Sequence, residues 1–318
     1  MTQSLPLNPP FWFNNPARGA WYVAHMQLGA GGFGNVWGGY WVTLPIAIKV
    51  RRPTGNVAND RSAWYHEQSI YLQCIGQPHI VQSYDQFETN SGLFVLILER
   101  GECDLQSLID QGVRFSPKDV SAIGCQLLHA LSHLHGIRVV QRDVTPKNIV
   151  VFNNRTIFKL GDFDASRSDL KPGELAKTII GQKGYYAPEM LRAGQGSCFQ
   201  SDIYQLGVVL LTLLIGRRPI PANASLDEAN RMTLDAIPRL TAESVISTYG
   251  RTAEIIARML PRTLEYRYQT AAQAWADFNT QYNALVAAEN AAKATAKEVA
   301  VTLGAIGALW AMSNYASR

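Results

Sequence analysis

Three things are scarce in this chain of 318 residues. Cysteine is the first: Cys74, Cys103, Cys125 and Cys198 are far apart and form no C-x-x-C pair. That spacing argues against a zinc site and against a disulfide framework, so a reducing, cytoplasmic setting is expected. Charge is the second. Asp, Glu, Lys and Arg make up 17% of the residues, with a net charge of +4 and no lysine/arginine block. No nucleic-acid partner is expected, although the mild positive balance suits small anions such as nucleotides. Long apolar runs are the third. The first residues are rich in Pro and Asn (Pro6, Pro9, Pro10, Asn14, Asn15, Pro16) and carry no apolar signal segment, so residues 1–20 read as an irregular arm. Val299–Met312 is nearly free of polar groups, yet as a helix it would rise about 21 Å, short of a hydrocarbon core of about 30 Å. Packing on the domain or on a partner helix is expected of it, with membrane contact as the alternative.

What is present is an ordinary globular composition, 47% hydrophobic, long enough to fold unaided. Residues 21–99 read mainly as strands with one helix, and residues 100–282 mainly as helices. Residues 283–318 form an alanine-rich helical tail with an apolar end. No internal repeat is visible. The clearest helix spans Ser116–His135, where Ser116 can cap, Pro117 suits the first turn and Gly136 terminates. Its apolar stripe is Val120, Ile123, Leu127, Leu131 and Leu134. A second helix, Asp202–Ile215, is apolar nearly all round, which suits the middle of a lobe.

The run Leu28–Val36 contains G-x-G-x-x-G-x-V, with Gly29, Gly31, Gly34 and Val36 in the motif positions. Glycines let backbone N–H groups approach phosphates closely. A dinucleotide-binding turn would need a helix to follow, whereas Val36–Val50 reads as strand, turn, strand; a plain glycine-rich hairpin stays open. In Ile46–Val50 a period of two turns Ala47 and Lys49 to one face, leaving room for a flat base and aiming an amine at phosphates. The alternative is a solvated edge-strand lysine. Glu67 falls within the apolar stripe (Ala63, Ile70, Tyr71, Cys74) of a helix over Asp60–Cys74. A carboxylate turned inward needs a cation, and Lys49 is the candidate, unless the Glu67 head reaches water at the edge of the stripe.

Farther on, Gln141-Arg142-Asp143-Val144-Thr145-Pro146-Lys147-Asn148 leads into a strand over Ile149–Phe152, a turn at Asn153-Asn154 and a returning strand ending at Asp162. Antiparallel pairing puts Asn148 beside Asp162, giving two oxygen ligands suited to Mg²⁺. Asp143 precedes them in a loop, where it could accept a proton from an attacking hydroxyl.

In order and type, Gly29/Gly31/Gly34, Val36, Ala47, Lys49, Glu67, Arg142-Asp143, Asn148 and Asp162-Phe163 resemble the signature set of the protein-kinase family. Gly184-Tyr185-Tyr186-Ala187-Pro188-Glu189 is similar to the family's A-P-E segment, and Asp202 and Arg267 stand where that family has an aspartate and a late arginine. The resemblance covers Trp21–Tyr282. It implies an α+β fold of two lobes: a small β-rich nucleotide-binding lobe (21–99) and a larger α-helical one (100–282). It also implies an ATP-dependent Ser/Thr protein kinase that uses Mg²⁺, with Mn²⁺ as an alternative, and has protein substrates. By resemblance, Lys49 binds the α- and β-phosphates, Lys147 neutralises the transferring group, and Asp143 orients the acceptor. Asn148 and Asp162 hold metal. Leu98 backs the adenine, Glu99–Gly101 forms the hinge, Asp104 contacts the ribose, and Arg267 pairs with Glu189.

The chain departs from the family pattern in three places. Gln141 replaces a histidine; Asp164 replaces the glycine of D-F-G, which should hinder backbone flipping or add charge near the metals. Thr145 and Gln182 replace the usual lysine and threonine that face the acceptor, and the cation moves to Lys147. Arg142 suggests control by phosphate on the loop after Asp162, with Thr178 either a site of autophosphorylation or an unmodified surface threonine. Two rival readings are a small-molecule phosphotransferase resembling aminoglycoside or choline kinases, echoed by Asp162-Phe163-Asp164, and a non-catalytic scaffold.

Overall fold

Alternation along the early strands decides which way the first lobe faces. In the computed structural model, which describes residues 9–30, 34–171, 174–176, 181–192 and 196–316 (side chains to 297), the first lobe is an antiparallel sheet. Its strands are β1 (Phe11–Asn15), β2 (Ala20–Ala30), β3 (Gly34–Trp41), β4 (Leu44–Arg51), β5 (Ser83–Glu88) and β6 (Phe94–Glu99), in the spatial order β1-β2-β3-β4-β6-β5. On β4, Ile46, Ile48 and Val50 are fully buried and join Val95 and Ile97 of β6 in a core with Phe11, Phe13 and Trp37. Ala47 and Lys49 point the other way, as a period of two requires. Helix α1 (Val57–Gln73), capped by the Asn56 side chain, crosses that second face.

The irregular arm expected for residues 1–20 is replaced, from Phe11 on, by an integral edge strand. β1 pairs with β2 from Phe11↔Ala24 to Asn15↔Ala20. The cause is Asp85 on β5, a buried carboxylate that accepts from Asn15 Nδ2 (2.7 Å) and the Tyr22 hydroxyl (2.5 Å), with Arg18 3.4 Å away. A buried charge needs such partners, and supplying them draws the amino-terminal hairpin onto the sheet.

The second lobe is helical: β7 (Cys103–Asp104), α2 (Leu105–Asp110), α3 (Pro117–Gly136), β8 (Ile149–Phe152) and β9 (Ile157–Leu160) precede α4 (Phe199–Ile215). Then come α5 (Leu226–Leu234), α6 (Ile237–Ser244), α7 (Ile246–Tyr249), α8 (Arg251–Met259) and α9 (Ala271–Ala316). Ser116 caps α3 in a capping box with Asp119, and the whole stripe from Val120 to Leu134 is buried. α4 is buried along nearly its entire length and stops at Gly216, whose φ of +70° is left-handed. The fold is therefore α+β, with a curled antiparallel sheet lobe and a helical lobe.

No break falls at residue 283, where the tail was expected to begin. α9 is one helix of 46 residues that starts inside the helical lobe, where Ala271, Ala274 and Phe278 are buried, and Glu289 still pairs with Lys118 of α3. Among the described residues no helix is long and apolar enough to cross a membrane.

Candidate active site

The site lies where the two lobes face each other. Lys49 on β4 and Glu67 on α1 meet with Nζ 2.6 Å from Oε1, both buried. The same amine is 2.9 Å from Asp162 Oδ1 and 2.6 Å from Asp164 Oδ2, just after β9. Burial works against a charged amine here, but Asp162, Glu67 and Asp164 outweigh it and hold the Lys49 pKa well above the usual range. For Glu67, burial pushes the carboxyl up against the opposing pull of Lys49.

Neighbouring elements shape the rest of the cleft. Lys49 pairs across the sheet with Val36 on one side and Leu96 on the other, and Ala47 pairs with Leu98. Val36, Ala47 and Leu98 thus form a flat apolar slot beside the amine. Gly29 has open space where a Cβ would stand, so the β2 backbone is free to approach a ligand. Gly34 is glycine for a different reason: a Cβ there would collide with the Val50 carbonyl of β4. Gly31 lies outside the described residues. At the connection between lobes, Glu99 binds Lys159 of β9 (2.7 Å), and a Cβ on Gly101 would strike Val150 and Val151 of β8. Asp104 caps α2, accepting the Ser107 N–H at 2.7 Å through one carboxylate oxygen.

The loops before β8 and after β9 are each held in a backbone conformation that few side chains favour. Arg142 (φ +68°) and Asp162 (φ +57°) are both left-handed, each at a cost of about 1–3 kcal/mol. Asp202 of α4 pays for the first, accepting the N–H groups of Gln141 (2.9 Å) and Arg142 (2.8 Å) and the His135 ring (2.9 Å). Gln205, one turn on, accepts the Val144 N–H (3.1 Å) and donates to the Arg142 carbonyl (2.9 Å). Gln141 secures the second: its Nε2 donates to the carbonyls of Gly161 (3.1 Å) and Asp162 (2.7 Å). Gln141 thus cross-links the two loops through hydrogen bonds as well as packing. Phe163 is buried against Tyr71 of α1, ring centroids 4.9 Å apart.

Asp143 projects from the loop before β8. It accepts Asn148 Nδ2 at 2.8 Å and the Gln182 N–H at 3.2 Å, so Gln182 touches it through backbone. Burial is the main cause that pushes the Asp143 carboxyl up to about 6, Asp162 adds to it, and Asn148 opposes it. Lys147 is exposed nearby. Asn148 is joined to the second loop by the Gly161 N–H on its carbonyl, 2.9 Å. Its Oδ1 and the second oxygen of the half-exposed Asp162 are uncommitted among the described residues. An all-oxygen donor pair of this kind fits a hard divalent cation.

Behind the site, Arg267 and Glu189 make a bidentate pair at 2.8 and 3.0 Å, with Ser201 on Glu189 at 2.7 Å. Two partners were not singled out in the sequence. Arg51, which bonds Asp164, alternates with Lys49 on β4, and that spacing was the available signal. Gln205 is a polar residue in an otherwise apolar helix, three residues after Asp202, and that was the signal for it.

A β-hairpin over a cleft, a buried Lys–Glu pair and a metal-suited loop pair from the second lobe define a two-lobed kinase-type fold. Comparison with known sequences agrees: the protein kinase domain profile matches residues 22–277. The chain belongs to the protein kinase family. It is 36% identical over 166 residues to the human phosphorylase b kinase gamma catalytic chain, liver/testis isoform, covering 50% of this chain and 40% of that one. It is 32% identical over 193 residues to human SNF-related serine/threonine-protein kinase (60% and 24%). It is also 32% identical over 195 residues to calcium/calmodulin-dependent protein kinase cmkA of Emericella nidulans (60% and 46%). The matches span less than half the length of these relatives.

Proposed function

We propose that this protein transfers the γ-phosphoryl group of ATP to Ser or Thr hydroxyls of protein substrates, with Mg²⁺ as the metal. The observation that carries the reading is the convergence on one point of Lys49 and Glu67 from the sheet lobe and Asp162 from the helical lobe. Relatives named as serine/threonine kinases support the acceptor class.

In this reading the adenine lies between Val36, Ala47 and Leu98, its edge read by the backbone of Glu99–Gly101, and the free oxygen of Asp104 takes the ribose. The hairpin glycines Gly29, Gly31 and Gly34 cover the phosphates, and Lys49, aimed by Glu67, holds the α- and β-phosphates. Asn148 and Asp162 hold Mg²⁺, which when bound neutralises phosphate charge. Asp143 orients the acceptor hydroxyl and takes its proton. With its pKa near 6 it is ionised yet basic enough to do so at neutral pH. Lys147 offsets charge on the group in transit, a task the family gives to a cation where this chain has the buried Thr145.

Autophosphorylation on Thr178, which lies outside the described residues, belongs to the same proposal. Arg142 Nε is buried without a partner among the described residues, and Arg142 and Arg167 both act on His66 of α1, so a phosphate would meet cations there. Phosphopeptide mapping of active enzyme is expected to find Thr178 modified; a bare Thr178 removes that part.

The test of the main reading is labelled-phosphate transfer from Mg·ATP by the purified protein to generic proteins and, separately, to small alcohols. Labelled phosphoserine or phosphothreonine is expected. Label only in small alcohols would favour a small-molecule phosphotransferase, and ATP binding without transfer would favour a scaffold.

A further inference from the structure

One carboxylate in the cleft has no task in the scheme above. The Asp164 side chain is 1% exposed, and its two oxygens face different cations of β4: Oδ2 is 2.6 Å from Lys49 Nζ, and Oδ1 bonds the Arg51 guanidinium. Where family members carry glycine, this chain has buried a charge, which is tolerated only with close partners. The partners come from the opposite lobe. Lys49 and Arg51 sit two apart on β4 and so share the cleft face with Ala47.

The neighbours give Asp164 its meaning. Glu67, Asp162 and Asp164 lie with one carboxylate oxygen each within 4.8 Å of one another; the Lys49 amine is hydrogen-bonded to Glu67 and Asp162 and ion-paired with Asp164, without hydrogen-bond alignment to Oδ2. Asp162 is 41% exposed, while Glu67 and Asp164 are almost fully enclosed. A metal ion entering the cleft would engage Asp162 and weaken its hold on Lys49. Asp164, almost fully enclosed, stays committed to the two cations. The backbone behind it is held as well, by Phe163 packed on Tyr71 and by the Ser166 hydroxyl on the Phe163 carbonyl at 2.5 Å.

We propose that Asp164 is a positioning residue, a bridge from the segment after Phe163 to Lys49 and Arg51 of β4. It keeps the amine aimed and the Phe163 segment docked while Asp162 serves the metal. The proposal rests on the phosphoryl-transfer reading, and Arg51 is its second half. Asp164 also places a negative charge near the phosphates, so its removal has two opposed effects on nucleotide binding: looser positioning and less repulsion. Turnover is therefore the sensitive parameter.

The test compares wild type, Asp164→Asn, Asp164→Gly, Arg51→Gln, Arg51→Lys and the double variant Arg51→Gln/Asp164→Asn. It reads kcat and KM for Mg·ATP, and the hydrogen exchange of backbone amides 163–166. Asp164→Asn and Arg51→Gln are each expected to lower kcat roughly tenfold, with KM changing less than about threefold, because misplaced reacting groups cost turnover. The double variant should be no worse than Asp164→Asn alone, since both remove the same bridge. Arg51→Lys should recover most of kcat, and Asp164→Gly should exchange fastest. A purely packing role would shift the unfolding midpoint without this split or this rescue. Unchanged kcat in both single variants, or strictly additive losses in the double one, overturns the proposal. If Asp164→Asn does not fold, Arg51→Gln and Arg51→Lys decide it by the same criteria. If wild type transfers no phosphate, the phosphoryl-transfer reading fails on its own. Exchange that stays equal in wild type and Arg51→Gln then overturns the bridge separately.

Discussion

Two of the buried charge clusters in this molecule are built on different rules. The Glu189–Arg267 pair has one cation and one anion in a single lobe. Its remaining donors and acceptors go to Ser201, Gln200 and Pro261. Both side chains are almost fully enclosed. The Lys49 cluster has two cations against three carboxylates, draws on both lobes and leaves Asp162 open to solvent. The first cluster is closed and balanced. The second sets three carboxylates against two cations beside an opening, an oxygen-rich arrangement that suits uptake of a divalent cation. Burial alone does not separate structural from functional charge. Balance and access do.

Breaking the comparison at its open end should have the largest effect on activity. Asp162→Ala is expected to lower kcat/KM by on the order of a thousandfold or more, since metal-assisted charge stabilisation is worth several kcal/mol. Its unfolding midpoint should change little, as checked by steady-state kinetics and thermal melting. The closed cluster should answer in the opposite way. Arg267→Ala strands a buried carboxylate and should cost about 3–5 kcal/mol of stability in denaturant unfolding.

pH sharpens the contrast further. Asp143 must be ionised to act as a base and titrates near 6, so kcat/KM should fall about tenfold per pH unit below that value. Although burial opposes its charge, Arg267 holds the Glu189 carboxyl below its ordinary value of 4.5. A depressed carboxylate contributes stability that is full above its unfolded pKa and lost only as pH falls through the folded one. Activity should therefore decline between pH 6 and 4.5 while the contribution of this pair to stability persists. A pH–rate profile beside melts at the same pH values checks the order. The smallest effect should come from Gln141→Ala, which unpairs the carbonyls of Gly161 and Asp162 and should cost about 1–3 kcal/mol of stability.

Much of this arrangement was legible in the sequence because it obeys short periods. The alternation in Ile46–Val50 and the capped stripe of Ser116–His135 each fix a face from local pattern alone. The juxtaposition of Asn148 and Asp162 followed from a short hairpin, as did Glu67 from its place in the stripe of α1. What was not legible depends on contacts far along the chain. Nothing local in Phe11–Asn15 announces that Asp85, about seventy residues on, will pull it into the sheet. Gln141 read only as a replaced histidine until its amide was seen between two carbonyls of the facing loop. Asp164 read only as a replaced glycine that stiffens the backbone or adds charge near the metals, Arg51 drew no reading at all, and only the meeting of the lobes pairs them. The long final helix hides its start for a related reason: an alanine-rich sequence does not mark where packing on α3 gives way to a free run.

The central claim is that an amine from one lobe and metal-binding side chains from the other serve a single triphosphate. Calorimetric titration of wild type, Lys49→Met and Asp162→Ala with ATP, with and without Mg²⁺, tests it most directly. Wild type should bind ATP more tightly with the metal, Asp162→Ala should lose that dependence, and Lys49→Met should weaken binding in both conditions. Metal-dependent binding that survives intact in Asp162→Ala would contradict the account.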